Sequence, residues 1–274
     1  MAAMLGKALL MITRPLQPLM PRMTPKLIII GAQKAGTTTL FDLLSQHPNV
    51  IPPAVKEIDF FSSDERYGTG LDSYWKGFPH RPVAPGRHIT LEASPSYLMS
   101  PVAAERIARH LPQALCLAVL RDPVARAYSA RNMYRDFKDD PDFAYLYDPR
   151  SFEEAVSDEL AGKEERRGRK YLDRSKYAPQ LERYVTHVGH ERLLVKGFGQ
   201  LKDDPHGLVN HVLERLGLEP FQKAHPAFGT RSNARSYASP ISSELKARLH
   251  QLFDDDLRRV EELFGRVEGL RDRL

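Results

Sequence analysis

Lys34 lies inside a glycine loop instead of after it. In LIIIGAQKAGTTTLFDLL, residues 27–44, Gly31 and Gly36 keep the spacing of a nucleotide-phosphate loop. Thr37 stands where an ATP-binding loop, G-x-x-x-x-G-K-[ST], has its lysine. The two glycines let backbone N–H groups turn inward around an anion, and a helix starting near Thr37 adds the positive end of its dipole. Thr37, Thr38 and Thr39 supply further hydroxyl donors. Lys34, projecting from mid-loop, would lie near the bridging oxygen of a bound phosphoanhydride, where charge grows as a group is transferred away. A degenerate ATP loop, or a chance glycine turn after a strand, is written with the same residues.

A second cluster, RDPVARAYS, puts Arg121 at the carboxyl end of the apolar run Ala114–Leu120. Ser129 follows two turns into the next helix, roughly 9–10 Å further at ~1.5 Å per residue. A folded-back arginine and a serine hydroxyl can grip one isolated phosphate, the arginine through a forked pair of bonds. Alone, Arg121 reads better as a surface ion-pair residue and Ser129 as an ordinary helix residue. Together, a loop for a 5′ anhydride and a clamp for a separate phosphate describe a nucleotide phosphorylated at two places.

On these motifs the chain resembles the PAPS-dependent sulfotransferases. GAQKAGTTTL matches their 5′-phosphosulfate loop and RDPVARAYS their 3′-phosphate motif. The resemblance implies a P-loop-type α/β fold, PAPS as donor and PAP as product, and a hydroxyl or, less readily, an amine acceptor, with no metal. Carried over residue by residue, it implies Gly31, Gln33, Lys34, Ala35, Gly36, Thr37 and Thr38 at the 5′ end. It also implies Arg121 with Ser129 at the 3′ phosphate, and Arg235, in TRSNARSYASP, as a phosphate or adenine contact. Lys34 then serves the sulfate-bridging oxygen, which explains its place in the loop. Two rival readings remain. A P-loop kinase needs a lysine after Gly36 and an acidic strand end for magnesium, where Arg121 stands. A catalytically silent nucleotide-binding protein has no need of so complete a set.

Sulfuryl transfer also needs a group to take the acceptor's proton. Histidine-type sulfotransferases carry it shortly before the RDP-like motif, where this chain has His110 on an expected solvated helix surface. The segment KEIDFF, Lys56–Phe61, instead resembles the heparan sulfate branch, and makes Glu57 the base. On the rival reading, Glu57 pairs with a lysine and Phe60 and Phe61 are core. Glu92, in ITLEASPSY, is the reserve; Ala93 stands where the glycan enzymes have lysine. The Golgi members carry a membrane anchor and a cysteine pair absent from this sequence, so the expectation is a cytoplasmic, bacterial-type enzyme.

The elements that must hold these groups can be read from periodicity. Leu27–Ile30 is a short buried strand, followed by a helical stripe through Leu40, Leu43, Leu44 and His47. KEIDFFS reads as extended, Ile89–Glu92 as a strand and PVAAERIARHLP as a helix. Ala114–Leu120 suits an interior parallel strand, and RDPVARAYS turns from it into a helix with Asp122 as N-cap and Pro123 at N1. YAPQLERYVTHV, PHGLVNHVLERLGL and SSELKARLHQLFDDDLRRVEELFG are helices; RLLVKGF is the last strand. Alternating strands and helices indicate a parallel sheet covered on both faces, with chemistry at the strand carboxyl ends. The expected organisation is an arm, 1–24, and one domain, 25–274. The stretch from Asp139 to Arg174 reads as irregular. It holds Phe143, Tyr145, Tyr147 and a basic run, Lys163–Lys170, that is either an acceptor contact or a solvated face.

Composition sets bounds on partners. The 40 Lys+Arg against 35 Asp+Glu, net +5, mildly favour anionic ligands and give no nucleic-acid signature. The apolar patch Ala8–Ile12 is too short for a membrane span of ~20 residues. Cys116, the single cysteine, reads as a buried structural thiol.

Overall fold

Continuous apolar runs of four to seven residues form interior parallel strands because both of their faces are covered, so no polar alternation is needed. Two such runs, in β1 (Pro25–Gly31) and β3 (Leu115–Leu120), form the centre of the sheet, flanked by β2 (Thr90–Ala93), which carries Glu92, and β4 (Leu193–Gly197), which carries Lys196. They lie in the order β2-β1-β3-β4 and every pair is parallel. Ile29 of β1 is opposite Ala93 on one side and Leu117 on the other, so the carboxyl ends of three strands lie at one edge of the sheet. The computed structural model describes residues 20–82, 86–222, 225–228 and 241–271.

The helices flanking the sheet are α1 (Thr37–Ser45), α2 (Asp64–Gly68), α3 (Leu71–Trp75), α4 (Ala103–His110) and α5 (Pro123–Asp136). α6 (Phe152–Leu160), α7 (Ala178–Val188), α8 (Phe198–Asp203), α9 (Pro205–Arg215) and α10 (Ser243–Phe264) follow. The expected stripe buries Leu40, Leu43 and Leu44 of α1. Asp122 caps α5 by accepting the Ala125 N–H at 2.8 Å, with Pro123 in the first turn. The cap of α7 comes from a distant helix. Asp256 on α10 accepts the N–H groups of Tyr177 and Ala178 at 2.8 and 3.0 Å. Cys116 is fully buried in β3, and burial pushes its thiol up to about 12.

Three expectations are corrected. KEIDFFS is not extended: Glu57 and Asp59 have φ of 62° and 53°, so the chain kinks twice. His110 is half-buried, bonded to the Tyr67 hydroxyl at 2.8 Å and stacked on Phe61, because α4 packs onto an aromatic cluster. The stretch 139–174 contains α6, started by a capping box between Ser151 and Glu154. The pattern S-x-x-E before an apolar residue was its signal. At the other end, residues 20–24 lie against 78–81: Met23 N–H donates to Pro79 O at 2.8 Å and Arg81 N–H to Pro21 O at 3.0 Å. Among the described residues no helix is long and apolar enough to cross a membrane.

The stretch between α5 and α7 is held by charge. Arg150 donates to Asp148, which has no exposure, and reaches Asp158 and Glu164 at 2.9 and 2.5 Å. Burial pushes the Asp148 carboxyl upward, but the bonds from Arg150 and Tyr171 outweigh it and leave the group below its ordinary value. Removing one partner of such a network leaves a buried charge uncompensated. Arg150→Ala should therefore lower the unfolding free energy by about 3 kcal/mol, tempered by the arginine's partial exposure, as read by urea denaturation at neutral pH.

Candidate active site

The loop after β1 owes its shape to two close approaches. A Cβ on Gly31 would sit 2.7 Å from Leu98 Cβ, and one on Gly36 would sit 2.7 Å from Leu201 and 3.0 Å from the Phe198 ring. Gly36 is the N-cap of α1 with φ 83°, a left-handed conformation that glycine adopts without penalty. Lys34 adopts φ 69° without being glycine. The first-turn N–H groups of α1 have no intrahelical acceptor, and the N-cap brings no side chain to supply one. Gln33 and Lys34 are half-buried, Ala35 and Thr37 buried, and Thr38 exposed. Gln33 Oε1 is buried without a hydrogen-bond partner. First-turn N–H groups beside a left-handed turn fit an anionic phosphate group.

Arg121 meets this loop across the sheet. β1 and β3 are neighbours, and the Ala32 N–H donates to Val119 O at 2.7 Å. The Arg121 guanidinium donates to the Lys34 carbonyl at 3.2 Å and lies 5.0 Å from the centroid of Phe198. Its own carbonyl accepts from the Tyr177 hydroxyl at 2.9 Å. Ser129 is buried on α5, as is Arg126. Arg126 donates to Ser175 Oγ and Tyr171 O at 2.7 and 2.5 Å, and burial lowers it to about 10. It ties α5 to residues 171–175. Arg235 lies outside the described residues. Phe198 and Leu201, which close the loop from α8, were not foreseen; the glycine-aromatic step GFGQL after β4 was the available signal.

Glu57 sits at the carboxyl end of β2, with its N–H donating to Ala93 O at 3.0 Å. Its side chain is 52% exposed and bonded to Lys56 Nζ at 2.5 Å, while Phe60 and Phe61 are buried. Both elements of the rival reading are thus present beside a carboxylate that solvent still reaches. Two residues on, Asp59 is half-buried, its carboxylate accepts from Ser96 Oγ, and its N–H donates to Ser94 Oγ at 3.0 Å. Burial raises the Asp59 carboxyl despite the serine bond, and the neighbouring Glu57 charge adds to the rise.

Glu92 is in a different environment. It is fully buried and accepts three hydroxyls: Tyr74 at 2.6 Å, Tyr97 at 2.5 Å and Ser94 at 2.9 Å. Burial pushes its carboxyl up to about 7 against the pull of these donors. A carboxylate enclosed in this way cannot touch an acceptor. Beyond the loop that follows β2, a cavity of about 400 Å³ is lined by Met99, Pro101, Lys170, Asp173, Lys176 and Arg183, among others.

Because the folded value of Glu92 lies above the unfolded one, the folded state binds its proton more tightly. The associated stability is fully present below about pH 4.5 and is lost as pH rises through about 7, amounting to roughly 3 kcal/mol. Chemical denaturation of Glu92→Gln across this window should show a flatter pH dependence than the parent chain. Parallel curves would mean that Glu92 does not titrate there.

Residues 24–231 match the sulfotransferase domain family. The human bifunctional heparan sulfate N-deacetylase/N-sulfotransferase 3 is 31% identical over 203 residues, covering 72% of this chain and 22% of that protein. The human heparan sulfate glucosamine 3-O-sulfotransferase 5 is 32% identical over 196 residues, covering 72% of this chain and 54% of that protein. The chain therefore spans at most about half the length of these two curated relatives. A solved sulfotransferase from Alicyclobacillus acidocaldarius superposes with a TM-score of 0.69 at 28% identity, over 89% of this chain and 96% of that one. With its glycine loop, its arginine at the end of β3 and a family match across most of its length, this chain belongs to the sulfotransferase domain family.

Proposed function

We propose that the protein transfers the sulfuryl group of PAPS to a hydroxyl of a glycan, lipid or small-molecule acceptor and releases PAP. The observation that carries this reading is the bond from the Arg121 guanidinium to the Lys34 carbonyl. It joins Arg121, read as the grip on a phosphate, to a glycine loop whose lysine lies inside the loop, and so supports one site for both. Gly31, Gln33, Ala35, Gly36, Thr37 and Thr38 hold the 5′ phosphosulfate, and Arg121 with Ser129 holds the 3′ phosphate. Residues 25–274 act as one unit, which agrees with the docking of α10 on α5 and α7 through His250 and Asp256. A kinase reading lacks support, since Thr37 replaces the lysine its loop requires.

In this reading the acceptor oxygen forms its bond to sulfur as the bond from sulfur to the bridging phosphate oxygen breaks. Glu57 takes the acceptor proton, after its exposed pair with Lys56 opens; such surface pairs hold only ~1 kcal/mol or less. Lys34 stabilises the charge that develops on the departing oxygen. Lys170, Lys176 and Arg183, set against the single carboxylate of Asp173, give the cavity beyond the β2 loop a positive lining suited to an acidic acceptor. The two heparan sulfate enzymes named above support an acceptor of that kind. Ala93 departs from the lysine that the resemblance to the glycan enzymes implies at this place.

Two measurements test the reading. Calorimetry without magnesium should show PAP binding at least on the order of 10²-fold more tightly than 5′-AMP, because the clamp's donors are left unpaired without the 3′ phosphate. Equal affinities would remove the donor assignment. With PAPS saturating, Lys34→Ala should lose on the order of 10²-fold or more in kcat. Glu57→Gln should lose roughly 10²- to 10⁴-fold together with the acidic limb of the rate profile, while binding PAP like the parent. Normal turnover in either variant would reassign that role.

A further inference from the structure

Three N–H groups of the kinked segment, at Glu57, Asp59 and Phe61, all point at the strand β2 and the loop that follows it. The first reaches a backbone carbonyl, Ala93 O, at 3.0 Å. The other two reach side-chain hydroxyls: Asp59 N–H donates to Ser94 Oγ at 3.0 Å and Phe61 N–H to Tyr97 OH at 3.4 Å. Alternate N–H groups facing one strand are the pattern of a sheet ladder. Positive φ at Glu57 and Asp59 breaks strand geometry, and hydroxyls stand in for the carbonyls a ladder would provide. Both hydroxyls in turn donate hydrogen bonds to one atom. Ser94 Oγ and Tyr97 OH donate to Glu92 Oε1 at 2.9 and 2.5 Å.

Glu92 is therefore the common terminus of two relays that begin in the backbone on either side of residue 60. Its other oxygen accepts from Tyr74, whose ring packs against Phe60 and Phe61 at 5.0 and 4.8 Å between centroids. The same carboxyl group thus fixes the backbone and the aromatic pair of the segment that carries Glu57. We infer that Glu92 is a positioning residue for the transfer reaction, acting through Ser94 and Tyr97 to hold the left-handed turn that aims Glu57 at the acceptor. The inference rests on the sulfotransferase reading proposed above and extends it to a group that touches neither donor nor acceptor. The titratable groups facing Glu92 are Tyr74 from α3, Tyr97 from the loop after β2, Cys116 from β3, Tyr184 from α7 and Asp59 from the kinked segment. Burial holds the three phenols and the thiol neutral, and burial likewise raises the Asp59 carboxyl.

Amide hydrogen exchange tests the clamp without turnover, and kcat tests its consequence. In folded Glu92→Gln and Ser94→Ala, exchange across residues 57–61 should rise roughly 10-fold or more while the loop 31–39 keeps its protection. With PAPS saturating, each variant should lose roughly 10- to 100-fold in kcat, with PAP affinity within about twofold of the parent. The acidic limb of the rate profile should survive in Glu92→Gln, since Glu57 still takes the proton. The double variant Glu92→Gln/Ser94→Ala should be no slower than the worse single, because both changes break one relay. Ser94→Thr, which restores a hydroxyl, should recover most of the Ser94→Ala loss. Unchanged exchange at 57–61, full multiplication of the two losses, or disappearance of the acidic limb in Glu92→Gln would each overturn the inference. If Glu92→Gln does not fold, Ser94→Ala and Ser94→Thr carry the same test, and parent-like exchange in Ser94→Ala overturns it. Raised exchange in the variants, together with a parent chain that fails to prefer PAP over 5′-AMP, would sink the sulfotransferase reading and leave the clamp standing.

Discussion

A parallel strand delivers its loop at one end only, and the pairing of β1 with both β2 and β3 places three loops at the same edge of the sheet. With Ile29 opposite Ala93 and Leu117, the glycine loop leaves between the end of β2 and the end of β3. The order β2-β1-β3-β4 makes the chain leave β1 for one neighbour and later cross to the other, which opens a crevice at the carboxyl ends. Lys34 and Arg121 are far apart in sequence and meet because of this register, and Glu57 is held at the neighbouring end of β2. A slip by one residue would turn the side chains of β1 to the opposite faces and misplace the loop against Arg121.

Three residues other than glycine in the described structure have positive φ, and all three lie at this edge: Lys34, Glu57 and Asp59. Each such conformation costs of order 1–3 kcal/mol and persists only where its surroundings hold it. For Lys34 the surroundings are the Arg121 bond and the packing of Phe198 and Leu201 on the next glycine. For Glu57 and Asp59 they are Ala93 O, Ser94 and Ser96. The sheet supplies rigidity and the loops carry the strain, so side chains are aimed by backbone that an unconstrained peptide would not adopt.

Two glutamates at the end of the same strand divide along physical lines. Glu57 is in solvent beside a lysine, where a proton can arrive and leave. Glu92 is sealed among phenols and a serine, where desolvation raises its proton affinity and hydroxyl donors partly offset that rise. The same logic covers Arg126 and Arg121. One is buried and braces the chain after α6, and the other stays half-open at the loop with its guanidinium over an aromatic ring.

The glycine loop, the strand-to-helix turn at Arg121, all four strands and the principal helices were legible in the sequence, because each is a contiguous pattern. An apolar run, a glycine pair or a serine two turns beyond an arginine expresses local geometry that survives in any tertiary setting. The capping box of α6 was equally local. What the tertiary structure decided are contacts between residues distant in the chain. Asp59 and Ser94 are 35 residues apart and Phe61 and Tyr97 are 36, so nothing in KEIDFFS itself announced the double kink that replaces an extended segment. Burial belongs to the same class. Glu57 and Glu92 are identical side chains at strand ends, and only the packing of Tyr74 and Tyr97 encloses one of them. The α7 cap from Asp256 and the closure of the glycine loop by Phe198 and Leu201 likewise depend on which elements the sheet brings together, since side-chain environment is a property of neighbours in space.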